Sequence, residues 1–89
     1  MKAIVSVFAK DSKGITAYVT ALLAEKEINI LDISQTLMQE YFAMIMLVDI
    51  DAINVPFTDF VDVMTELGHA NGLEIHAMHE DIFNSMHKI

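Results

Sequence analysis

The stretch Ala3-Ile4-Val5-Ser6-Val7-Phe8-Ala9-Lys10-Asp11-Ser12-Lys13-Gly14-Ile15 contains the change of period that decides the fold. Its first seven residues are rich in β-branched side chains and bounded by polar ones, the pattern of a short buried strand. Lys10 to Gly14 interrupt it with turn chemistry. From Ile15 the apolar positions recur at helical spacing. Ile15, Val19, Leu22 and Leu23 share one face, and Glu25, Lys26 and Glu27 polarise the end, so a helix follows the strand.

Working outward, residues 28 to 37 mix Ile28, Ile30, Leu31, Ile33 and Leu37 with Asn29, Asp32, Ser34 and Gln35. The alternation is imperfect, as in an edge strand whose faces differ or which carries a bulge. Gln39-Glu40 reads as the turn into residues 41 to 51, the most apolar segment. Both faces of that segment are expected to be buried, which suits a central strand. Asn54 is the expected N-cap of a second helix, with Pro56 in its first turn. Phe57, Phe60, Val61, Met64 and Leu67 line its inner face, and Gly68 or Gly72 supplies its stop. Residues 73 to 78 form a last strand. Glu80 and Asp81 then open a short terminal helix that His87 and Lys88 close, the charge order a helix dipole favours.

The order β-α-β-β-α-β plus a terminal helix, joined by right-handed crossovers, predicts an α+β ferredoxin-like sandwich over residues 1–89 as one domain. Its antiparallel sheet should run 4-1-3-2, with two helices on one face. The other face and the two edges are then open to a second subunit.

Composition narrows the partners. Thirteen Asp and Glu face five Lys with no Arg, a net charge of −8. Nucleic acid and anionic membrane surfaces are therefore not expected partners, because both are bound through basic side chains. Any anionic ligand must rest on backbone amides, Lys or neutral polar groups, since the bidentate guanidinium fork is missing. The absence of Cys removes disulfides, thiolate metal sites and thiol catalysis. The first residues lack the pattern of a signal peptide and the longest apolar run is too short to span a bilayer, so a cytoplasmic protein is expected. Hydrophobic residues make up 54% of the chain, seven of them Met, more than one sheet face and two helices usually hide. A homo-oligomer would bury the excess.

Two segments carry a resemblance. Asp11-Ser12-Lys13-Gly14-Ile15, followed about fourteen residues later by Ile28-Asn29-Ile30-Leu31-Asp32-Ile33, resembles the ACT domain. The similarity is greatest to stand-alone ACT proteins and to the ACT modules of glycine-cleavage regulators and formyltetrahydrofolate deformylases. The resemblance implies a loop after the first strand that meets a neighbouring subunit and frames a site for a small ligand, often an amino acid. Carried onto this chain, it points to Lys10, Asp11, Ser12, Lys13 and Gly14 on the loop, and to Asn29, Ile30 and Asp32 on the second strand. Many relatives carry Arg-Pro before the Gly. Here Ser12-Lys13 stand in that place, so the loop loses a fixed φ and a guanidinium.

The residues themselves admit plainer roles. Asp11 either caps the helix or meets a ligand, Asn29 either bonds the backbone at the helix-to-strand corner or meets a ligand, and Asp32 either guards an edge or does the same. His76 and His79 should lie on opposite faces, and no metal site, cofactor or catalytic group is expected. The expected function is a regulatory module, not an enzyme. A homodimer would bind an amino acid or similar metabolite at its interface and signal to a protein partner. The alternative is a dimerisation module without a ligand.

Overall fold

The computed structural model describes residues 1–10 and 14–86. Its elements run β1 (Lys2–Ala9), α1 (Ile15–Glu25), β2 (Asn29–Met38), β3 (Tyr41–Asp49), α2 (Phe57–Ala70), β4 (Glu74–His79) and α3 (Glu80–Met86). The four strands form one antiparallel sheet in the order β2-β3-β1-β4. This is the ferredoxin-like βαββαβ sandwich expected from the order of elements.

Register places the core. Ala3, Val5 and Val7 of β1 stand beside Val48, Met46 and Met44 of β3, and Val5 and Val7 also stand beside Ala77 and Ile75 of β4. Their shared face packs against Ile15, Val19 and Leu23 of α1 and Phe60 and Met64 of α2, all buried. Side chains alternate across a strand, so Ile4, Ser6 and Phe8 with Ala43, Ile45 and Leu47 form the opposite, open face. The expectation that both faces of β3 are buried is corrected here. β3 is central, yet Ile45 is 43% exposed, because both crossover helices pack on the same side.

The irregularity in β2 is a register shift between Ile30 and Asp32 that leaves Leu31 as an extra residue. Asn29 and Asp32 therefore stand on the open-face side, while Ile30 and Ile33 face the helix layer. At the far end of the hairpin Met38 pairs with Tyr41 across the Gln39-Glu40 turn.

Helix ends depart from expectation in two places. Pro56, not Asn54, is the N-cap of α2. The Asn54 side chain donates to the Glu25 carbonyl at 3.0 Å, and its own amide donates to the Lys26 carbonyl at 3.2 Å, fastening the exit of α1. Of the two glycines offered as a stop for α2, Gly72 serves. It sits at φ 74° while Leu73 and Gly72 donate to the Gly68 and His69 carbonyls, a Schellman closure. The end of α1 is built the same way around Glu27 at φ 61°, with Ile28 donating to the Leu23 carbonyl and Glu27 to Ala24. Glu80 and Asp81 lie in the first turn of α3 as expected, and His87 and Lys88 fall outside the described residues.

Candidate functional site

The turn after β1 ends in Gly14, the N-cap of α1, at φ 75° and ψ −3°. A side chain there would be strained by its left-handed backbone, although among the described residues nothing lies within 4 Å of an added Cβ. Among the described residues no side chain caps α1, and its first turn holds no acid. The first helical bond runs from the Tyr18 amide to the Gly14 carbonyl at 3.0 Å. The amides of Ile15, Thr16 and Ala17 precede it and are the donors a helix start leaves without an intrahelical partner.

Beside that helix start opens a cleft of about 190 Å³ lined by Gly14, Ile15, Tyr18, Asn71 and Leu73. The Asn71 amide group donates to the Tyr18 hydroxyl at 3.0 Å and to the Leu67 carbonyl at 2.8 Å, so the end of α2 holds the phenol over the start of α1. The phenol oxygen accepts in that pair, which leaves its own hydrogen to donate. A helix start, a phenol hydroxyl and a carboxamide around an apolar floor suit a small anion or zwitterion.

Of the expected site residues, Gly14 lines this cleft, and Lys10 follows the end of β1 from which the Gly14 loop leaves. Asp11, Ser12 and Lys13 lie outside the described residues. Asn29, Ile30 and Asp32 are elsewhere. Asn29 pairs with Asp49, which pairs with Lys2, whereas the Gly14 loop follows Ala9 at the other end of β1. The eleven residues of α1, about 16 Å of helix, separate the two groups within one chain. Asp32 takes its own neighbour as partner, its carboxylate accepting from the Ile33 amide at 2.8 Å. Tyr18 and Asn71 were missed by sequence reasoning. Tyr18 is one helical turn from Gly14 and could have been found by that spacing, but Asn71 is 53 residues away from Tyr18 and carries no local signal.

A larger cleft of about 630 Å³ opens at the other end, lined by Met1, Lys2, Asp51, His79, Glu80 and Asp81. Two of its charges pair with each other. The Met1 amine donates to Asp51, a hydrogen bond that chiefly holds the amine's pKa above its usual value, with the Asp51 and Asp49 charges adding to it. His79 stacks on Phe57 with ring centroids 4.5 Å apart on the helix side, and His76 stands on the open side, so the two histidines do face opposite ways. His69 and His76 both approach Glu74 at 3.3 Å. Among the described residues no three His, Asp or Glu are arranged to hold a metal.

A βαββαβ sandwich with a left-handed glycine as the N-cap of its first helix defines an ACT-like module. A family model of the ACT domain matches residues 2–77, and the chain belongs to that family, whose members are typically regulatory ligand-binding modules. It is 51% identical over 89 residues to a UPF0237 protein of Clostridium acetobutylicum, covering all of both chains. The fold is close to that of an ACT domain protein from Streptococcus pneumoniae, with a TM-score of 0.82, 38% identity and 93% of each chain covered. Two further structures share the fold at low identity. A formyltetrahydrofolate deformylase from Pseudomonas putida matches with a TM-score of 0.76 and 14% identity, over 91% of this chain and 29% of that one. A putative glycine cleavage system transcriptional repressor matches with a TM-score of 0.71 and 20% identity, over 86% of this chain and 44% of that one.

Proposed function

We propose that this protein is a non-catalytic sensor in which two copies join along β2 and bind an amino acid or similar metabolite between them, signalling to a protein partner. The Gly14 cleft carries this reading, because in an Arg-free chain it offers converging neutral donors to a carboxylate. Its volume of about 190 Å³ falls below the ~300 Å³ where ligand pockets usually begin, as a half-site's would. The placement of Asn29, Ile30 and Asp32 supports the same arrangement. A two-fold axis through β2 runs the two edge strands antiparallel, which brings the Asn29 end of one copy toward the Gly14 end of the other. The ligand's carboxylate would then meet the α1 amides and Tyr18 on the helix side of the joined sheet, the side that Ile30 of the second copy also faces, while Asn29 and Asp32 stand on the other side.

The β2 edge suits a second copy. Ten residues long, it contains no Lys or Pro and one acid, so it lacks the usual protection against strand addition. Ile33 and Leu37 face the helix side there and remain exposed.

Titration with the twenty amino acids, followed by melting temperature and amide NMR signals, tests the reading. At least one amino acid should shift both, and Leu37→Lys should give a folded chain of reduced mass that has lost the shift. Silence toward all twenty would overturn the ligand and leave a module that only self-associates.

A further inference from the structure

The open face of the sheet is left over by both helices and by the β2 edge. Four rows cross it. Asp32, Leu47, Ile4 and Met78 make one; Ser34, Ile45, Ser6 and His76 the next; Thr36, Ala43, Phe8 and Glu74 the third; Met38 and Tyr41 begin the last. On the two central strands, from Ile4 to Phe8 and from Tyr41 to Leu47, the only polar groups on this face are the hydroxyls of Ser6 and Tyr41. α3 returns against β1 and β4, and Ile4 is nearly buried. Phe8, Ile45, Tyr41 and Met38 nevertheless remain 45%, 43%, 54% and 63% exposed.

Charge indicates what can cover such a face. With a net charge of −8, copies of this chain repel one another over most of their surface. The helix layer holds Glu25, Asp59, Asp62 and Glu66, and the ends hold Glu40, Asp51, Glu80 and Asp81. Among the described residues, the acids on the open face stand at the margins: Asp32 and Glu74 on the edge strands, and Asp49 beside Lys2 at one end. It is the broad surface on which two like copies meet without opposing carboxylates at its centre.

Area indicates how many copies. Four strands about 4.8 Å apart, over six paired residues of about 3.4 Å each, span at most about 400 Å² in projection, the nearly buried Ile4 included. That is at most half of the ~800 Å² per partner of a standard stable interface, which only the joined faces of two copies approach. We propose that the open sheet face is a second self-association surface, on which two β2-joined dimers pack sheet to sheet as a tetramer. The inference rests on the β2 pairing above. A two-fold stack of this kind is closed and self-complementary, so it stops at four chains.

Sedimentation velocity and native mass spectrometry on the full chain test it, with circular dichroism to confirm folding. The unaltered protein should have the mass of four chains. Ile45→Lys, at the centre of the face, should reduce it to two while keeping the amino-acid response of the Gly14 cleft. Tyr41→Glu, on the same face but more exposed, gives the same reading if Ile45→Lys fails to fold. A two-chain mass that neither substitution changes overturns the face and leaves the ligand reading standing. A two-chain mass that falls to one with the face variants, and not with Leu37→Lys, overturns both the tetramer and the β2 pairing beneath it.

Discussion

At the scale of single residues, two positive φ angles have opposite consequences. Glu27 closes α1 from the left-handed region, where a Cβ costs about 1–2 kcal/mol, and part of that cost returns as unfolded-chain entropy when Gly replaces it. Glu27→Gly should therefore stabilise the protein by about 0.5–1 kcal/mol, read as a higher urea midpoint at constant slope. Gly14 occupies the same region where no side chain is in the way. Gly14→Val should cost about 1–2 kcal/mol through backbone strain and turn the α1 amides out of line, abolishing any amino-acid-induced thermal shift while the circular dichroism of the fold persists. A variant that kept the full shift would remove Gly14 from the site.

At the scale of elements, Phe60 and Met64 tie α2 to the buried face of the sheet. Phe60 is fully buried beside Phe57, with ring centroids 5.9 Å apart. Phe60→Ala should cost about 3–5 kcal/mol, enough to bring a chain of this size close to unfolding, with the loss read by chemical denaturation. The elements are also where the sequence was most legible. The helical spacing of Ile15, Val19 and Leu23 and the apolar run of β1 are set by burial, which leaves a periodic trace in the chain. Helix caps were less legible, because Asn54 had a competing partner in the Glu25 carbonyl that no local pattern reveals. The candidate site was half legible. Gly14 announces itself through its own backbone, whereas Asn71 enters the cleft through the packing of α2 against α1. That packing depends on the whole sandwich.

At the scale of the whole molecule, an acidic exterior works against the association that the apolar edge and face favour. The Debye length falls from about 30 Å at 0.01 M salt to about 8 Å at 0.15 M. Self-association should therefore tighten by roughly an order of magnitude over that range, read by sedimentation equilibrium, the reverse of what an interface held by ion pairs would do. Ligand response measured at very low salt should weaken in parallel if the site is shared between copies.

The bulge at Leu31 falls inside the segment that carried the family resemblance. The ladder on β3 does not count this residue, so β2 is ten residues by the chain and nine by the sheet. Asn29 and Asp32, an odd number of positions apart, share a face only because one step between them is uncounted. Shortening the chain by Leu31 would leave every other side chain of β2 on its present side. The same deletion anywhere between Asp32 and Met38 would turn over one part of the strand relative to the other. The strand thus has one place where length is free and many where it is not, and the free place lies between Ile30 and Asp32.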